Sequence, residues 1–306
     1  MQTESANQQN CSQTISTTGL DYCDQDMLSE KFKDLPKVAK ENASTYLSND
    51  PYPHIVFDDF FDVDFLSLVE ATFPNLKADP TTQEFNNQAE VKLGSRRGDA
   101  QQSKAITELL RYLNSHSFVD FLQKLTGISE PLIVDPHFCG GGMHEVKRGG
   151  LLKLHADYCK HPETKLDRRL NLLIYLNKDW KTDFGGDLEL WDKELKACGK
   201  KISPVFNRMV VFATTDFTYH GHPDPLLCPP EISRKSLALY YFSNGRPCSE
   251  LRPSHIASKS TIFVKRPLEN FRESQAVVKT LARNLLPPLL YRLLIQTKHR
   301  LQKPGT

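Results

Sequence analysis

Between residues 130 and 247 the chain breaks into short runs of β-forming residues: LIVDPHF (132–138), LLKLHADY (151–158), LNLLIYLN (170–177), DLELW (187–191), RMVVFA (208–213) and SLALYYF (236–242). Glycine, proline and charged turns separate them, and no helical pattern is interleaved. Parallel strands need long crossovers, commonly helical, so these runs are expected to pair antiparallel. Strands of this length and spacing predict a jelly roll or related barrel over residues 131–247.

Upstream, over 31–130, the texture is helical. PYPHIVFDDFF (51–61) reads as a short strand and turn before a helix that begins near Asp62 and sets Phe65, Leu66, Val69 and Phe73 on one face. Ile106, Leu109, Leu110 and Leu113 form a second apolar stripe, and Phe118, Phe121, Leu122 and Leu125 a third that ends at Gly127. Such stripes belong to a core, not a cofactor box. The expected class is α+β: a double-stranded β-helix (jelly roll, cupin-like barrel) with N-terminal supporting helices and a C-terminal basic helical tail.

The first thirty residues are rich in Ser, Thr, Gln and Asn and hold no Lys or Arg, which argues against secretory and transit peptides and predicts a disordered leader over 1–30. Asn42 stands in an Asn-Ala-Ser sequon but reads as an ordinary polar helix position. Within the 248–306 extension, the stretch from Ser274 has six Lys or Arg, no acidic residue, and leucines at helical intervals on either side of Pro287 and Pro288. Lys279, Arg283 and Arg292 make a bilayer crossing costly, so no transmembrane segment is expected. Packing on the β-domain is the preferred reading, with peripheral membrane contact through this tail as the alternative.

With 39 Lys and Arg against 37 Asp and Glu, net charge +2, the whole molecule has no electrostatic attraction to nucleic acid. Seven cysteines without a Cys-x-x-Cys pair exclude a zinc ribbon and a dense disulfide framework, and point to a reducing, cytoplasmic setting. The glycine-rich FCGGGMHEVKRGG (138–150) lacks the Lys-Ser ending of a phosphate-binding loop and reads as a flexible rim or a plain hairpin connection.

Chemistry concentrates at His155-Ala-Asp157. Residues two apart on a strand point the same way, so an imidazole and a carboxylate project together into the barrel mouth. A divalent metal would satisfy that buried charge, with a further ligand from His144, His161, His220 or His222. Downstream, Arg234 opens the strand SRKSLALYYF, where a permanent cation is suited to gripping a carboxylate through paired hydrogen bonds.

His-x-Asp at 155–157, His220 in YHGHP and Arg234 at the start of a late strand resemble, in that order, the iron(II)- and 2-oxoglutarate-dependent dioxygenases, most closely the prolyl 4-hydroxylase-like branch. GGGMHEVKRGGLLKLHADY (140–158), IYLNKDW (174–180) and FGGDLELWD (184–192) support the match over roughly 131–246. The resemblance implies His155, Asp157 and His220 as metal ligands, and Arg234, Tyr175 and the weaker Ser236 as holders of the far carboxylate of 2-oxoglutarate. The catalytic set is then His155, Asp157, His220 and Arg234. His222 stands where the family usually carries an aliphatic residue, a departure that leaves it near the site.

The cofactors implied are Fe(II), 2-oxoglutarate and O2 as co-substrates, and ascorbate (vitamin C) as an optional reductant. The reaction implied is hydroxylation of an unactivated C–H bond coupled to decarboxylation of 2-oxoglutarate to succinate and CO2, on a peptidyl-prolyl or small-molecule substrate. Leu154, Leu173 and Leu239 are expected as apolar lining, Trp180 and Trp191 as structural, and His144 and His161 as surface residues. Two other readings are a cupin-like isomerase or hydrolase that needs no 2-oxoglutarate, and a membrane-surface module with an inactive barrel. Arg234 speaks against the first, since a cupin has no standing need for a buried cation there.

Overall fold

The computed structural model describes residues 24–95, 102–251 and 260–267. Residues 1–23 of the expected leader and the basic helices expected from Ser274 onward lie outside them. Within 24–30, Met27 and Leu28 are buried in the core beside Phe60 and Phe61, because the short helical turn Asp24–Met27 carries them inward.

In chain order the elements are α1 (Leu35–Ser48), β1 (His54–Asp58), α2 (Val63–Ala71), β2 (Gln83–Asn86), β3 (Glu90–Gly94), α3 (Lys104–Leu113), α4 (His116–Thr126), β4 (Ile133–Val134), β5 (Gly142–Val146), β6 (Leu151–Ala156), β7 (Asp167–Tyr175), β8 (Leu188–Trp191), β9 (Cys198–Ile202), β10 (Arg208–Ala213), β11 (Tyr219–His222), β12 (Arg234–Ser243) and β13 (Ile262–Phe263). Helix starts are set by side-chain caps: Asp62 accepts from the amides of Asp64 and Phe65, Ser103 from Ile106 and Ser115 from Phe118. Gly127, at φ 66°, ends α4 in the left-handed conformation that glycine adopts without a Cβ penalty. Asn42 lies in α1, its amide donating to the Val38 carbonyl.

The strands form one antiparallel sheet in the order β1-β10-β7-β12-β5-β3-β6-β11-β8-β9, with β13 added to β6, β2 to β3 and β4 to β12. Four of these strands, β1, β2, β3 and β13, come from outside 131–247, and the β2–β3 hairpin is an element the sequence pattern did not announce. Eight strands from β3 to β12 contribute residues to one cavity, so the sheet curls around it as a double-stranded β-helix.

Alternation along the strands decides what faces the cavity. On β7, Leu170, Leu172 and Ile174 join Met209 and Val211 of β10 and Leu237, Leu239 and Tyr241 of β12 in the core shared with the helices. The intervening Asn171 and Leu173, with Phe212, Arg234, Ser236, Ala238 and Tyr240, face the cavity. Both faces of β7 are buried, which is why LNLLIYLN reads as a nearly continuous apolar run. The expected lining is corrected accordingly. Leu173 lines the cavity, whereas Leu239 has the opposite parity and faces the helices, and Leu154 packs with Ala156, Trp191 and Tyr219. Among the described residues no helix is long and apolar enough to cross a membrane.

Candidate metal and co-substrate site

Strands β6 and β11 are neighbours, and their register sets His155 directly opposite His220. Their rings lie 4.4 Å apart between centroids, and Asp157 follows at the end of β6. One ligand atom from each of His155, Asp157 and His220 lies within 4.8 Å of the other two, with all three residues buried. This group is the only one of its kind among the described residues.

The imidazoles are oriented by backbone. Nδ1 of His155 meets the Lys153 carbonyl at 2.8 Å, and Nδ1 of His220 meets the Thr218 carbonyl at 3.1 Å. A carbonyl can only accept, so each Nδ1 donates and each Nε2 is turned toward Asp157, 3.6 Å and 3.3 Å from its carboxylate. Burial, with His220 alongside, lowers the His155 pKa and keeps the ring neutral. For Asp157, burial works to raise the carboxyl, but Arg168 and the two imidazoles override it and hold the group well below the usual carboxylate range. Two imidazole nitrogens and one carboxylate oxygen form a donor set that suits a divalent transition metal.

Arg234, buried on β12, donates from Nε to the Gly186 carbonyl at 2.9 Å and from Nη2 to the Tyr175 hydroxyl at 3.2 Å. Gly186 is required here: at φ +78° a Cβ would come within 2.6 Å of Leu226 and 3.1 Å of the Arg234 side chain. Burial raises the Tyr175 pKa although Arg234 pulls the other way, so the hydroxyl stays protonated. Ser236 pairs with Tyr175 on one side and His144 on the other, and lines the same cavity as Arg234 and the His-Asp-His group.

His222 also lines this cavity but is not part of the three-residue group. Its Nδ1 is buried without a hydrogen-bond partner among the described residues, and burial, with Arg234 and Lys92 nearby, keeps the ring neutral. The expectation for two other histidines is corrected. His144 sits on β5 facing the cavity, its pKa pushed down to about 3 by burial, with Lys92 and Arg234 adding to the effect. His161 is buried, its Nδ1 accepting from the amides of Glu163 and Thr164 and its Nε2 3.5 Å from Asp135. Trp191 donates to Glu189 and Trp180 to the Gly185 carbonyl.

Arg168 and Asn171 were not singled out from the sequence. On β7, Arg168 donates to Asp157 Oδ2 at 2.9 Å and the Asn171 amide donates to the same oxygen at 2.7 Å. The available signal was the polar start of β7, Asp167-Arg168-Arg169, and Asn171 within the apolar run that follows.

Residues 141–242 match the family model described as the 2OG-Fe(II) oxygenase superfamily. Among solved structures, a prolyl hydroxylase in complex with a hypoxia inducible factor peptide fragment, from Trichoplax adhaerens, is 18% identical with a TM-score of 0.54, over 72% of this chain and 96% of that one. A prolyl-4-hydroxylase from Pseudomonas putida is 15% identical with a TM-score of 0.48, over 68% of this chain and 100% of that one. No curated protein matches the chain. The first of these likenesses establishes a shared prolyl hydroxylase-like fold, and the segment that matches the family carries the cavity with its buried His-Asp-His group. Residues 141–242 thus resemble the 2OG-Fe(II) oxygenase superfamily in sequence, and that segment brings His155, Asp157 and His220 together.

Proposed function

We propose that His155, Asp157 and His220 hold iron(II), that Arg234, Tyr175 and Ser236 hold the distal carboxylate of 2-oxoglutarate, and that the enzyme hydroxylates a carbon centre of a prolyl or proline-like substrate. The observation that carries this reading is the convergence of three oriented donors and one buried guanidinium on a single cavity. When bound, iron(II) with 2-oxoglutarate and O2 supplies the redox chemistry that couples decarboxylation to hydroxylation. The protein's share is placement. Backbone carbonyls behind His155 and His220 keep both Nε2 lone pairs aimed inward, and the protonated Tyr175 hydroxyl lies beside the Arg234 fork as a second donor toward a carboxylate. Leu173, Leu188 and Phe212 give the cavity an apolar flank that limits water.

A second, wider cavity of about 510 Å³ shares Lys92 and His144 with the first and opens between the β2–β3 hairpin and the glycine-rich stretch, which makes it the natural approach for substrate. A prolyl substrate is favoured by the fold shared with the Trichoplax enzyme, whose structure holds a peptide fragment. The free thiols of Cys139, Cys159, Cys198, Cys228 and Cys248 suit a reducing compartment, and we place the protein in the cytoplasm.

The test is anaerobic addition of iron(II) and 2-oxoglutarate, followed by O2 with proline, prolyl peptides and unrelated small molecules in separate arms. The expected results are a weak visible charge-transfer band and succinate release that rises with one proline-containing arm. Turnover without succinate would reject the mechanism, and stimulation only by compounds lacking a proline ring would reject the substrate class.

A further inference from the structure

A carboxylate that binds a metal through one oxygen leaves more coordination positions for other ligands than one that binds through both, so the protein groups on the second oxygen matter. At Asp157 they are specific. Oδ2 accepts from Arg168 Nη2 at 2.9 Å and from the Asn171 amide at 2.7 Å, while Oδ1 has no such arginine or amide donor among the described residues and lies 3.6 Å from His155 Nε2. His220 Nε2 lies 3.3 Å from Oδ2.

Arg168 is itself fixed on every side. Only 1% of it is exposed, its Nε donates to Asn171 Oδ1 at 3.0 Å, and Nη2 reaches the same oxygen. Its guanidinium carbon lies 3.3 Å from the ring centroid of Tyr240 and 4.8 Å from that of Tyr158. These two tyrosines also fasten the glycine-rich rim: the Tyr240 hydroxyl donates to the Gly140 carbonyl at 2.8 Å and the Tyr158 hydroxyl to the Cys139 carbonyl at 2.7 Å. The rim is therefore clamped. Gly141 lies so close to β12 that a Cβ would stand 2.6 Å from the Ala238 carbonyl oxygen.

We propose that Arg168 is a positioning residue: stacked on the tyrosines that fasten the rim, it holds Oδ2 of Asp157 out of the metal's coordination sphere, so that the carboxylate binds through Oδ1 alone. This rests on the reading of the metal site given above. Planarity is what the position needs, because a guanidinium can lie on an aromatic ring and donate along its edge at once, whereas an ammonium is a point charge. A carboxylate released to bind through both oxygens would occupy a position that the co-substrate requires.

The test uses Co(II), whose ligand-field spectrum reports coordination without turnover, on wild type, Arg168→Lys, Tyr240→Phe and Tyr240→Leu, with thermal melting and near-ultraviolet dichroism as folding controls. In Arg168→Lys the expected results are a roughly ten- to hundred-fold loss of Co(II) affinity and an altered spectrum. Tyr240→Phe keeps the ring face and the wild-type spectrum, while Tyr240→Leu shifts toward the Arg168→Lys pattern. A folded Arg168→Lys with affinity within about two-fold of wild type and an unchanged spectrum would overturn the proposal. If that variant does not fold, an unaltered spectrum in folded Tyr240→Leu overturns it equally. Wild-type protein that takes up no Co(II) would instead overturn the reading of the metal site, and this inference with it.

Discussion

Two histidines separated by one glycine, His220 and His222, share a strand and a cavity, yet only the first joins His155 and Asp157. The cause is local. The register between β11 and β6 shifts between positions 220 and 222, and Gly221 lies so near β6 that a Cβ would stand 2.7 Å from the Leu152 carbonyl oxygen and 2.8 Å from that of Lys153. His220→Ala is therefore expected to abolish the charge-transfer band, while His222→Ala keeps it; an anaerobic titration of both variants checks this, and the reverse outcome would exchange their roles. At the other end of the cavity, Arg234→Ala removes a buried charged donor proposed to hold the co-substrate carboxylate, a loss on the order of 2–4 kcal/mol. The measured consequence should be a KM for 2-oxoglutarate raised by about 30-fold or more, with the iron requirement little changed.

Among the elements, β6 and β11 carry the proposed metal ligands His155 and His220, so their close approach should control metal binding more than any helix does. Gly221→Ala forces a Cβ between two backbone carbonyls that cannot move aside as a side-chain end could. A cost of about 1–3 kcal/mol is expected, with a lower melting temperature and weaker Co(II) uptake together. Ser115→Ala, by contrast, removes the N-cap of α4, far along the chain from the ligands. It should cost about 1 kcal/mol of stability and leave the Co(II) spectrum as in wild type. Denaturant unfolding and absorption spectroscopy on the two variants separate strand geometry from general stability.

For the molecule as a whole, stability should depend on pH and metal in a linked way. His144 has its pKa near 3 in the fold against an ordinary value of 6.5. Between those values the unfolded chain takes up a proton that the folded chain refuses, so metal-free protein is expected to lose stability as pH falls below about 6.5. His155 and His222, both lowered by burial, act in the same direction. Chemical unfolding in chelator between pH 7 and 5 should show the decline, and His144→Gln should make it shallower; an unchanged slope would count against a neutral, half-buried His144. Divalent metal that binds only the folded state should raise the melting temperature in proportion to the logarithm of its concentration, and Asp157→Ala should remove that rise.

The helices, the strand PYPHIVFDDFF and the barrel strands β6, β7, β8, β10 and β12 were legible because each is written in a local period that the chain carries within a few positions, whereas β5, inside the stretch read as a rim, and β9 were not. His155, Asp157 and Arg234 were legible as chemistry because their residue types and order survive any uncertainty about the backbone. The inward placement of His144, the outward turn of Leu239, the β2–β3 hairpin and the grip of Arg168 and Asn171 on Asp157 were not. Each depends on strand parity, or on a partner brought near by the curl of the sheet. Residue type and local spacing are properties of the chain alone, so the sequence by itself determined which groups could bind metal and anion. Only the tertiary structure decided which of them meet, because register and sheet curvature arise from packing between distant segments.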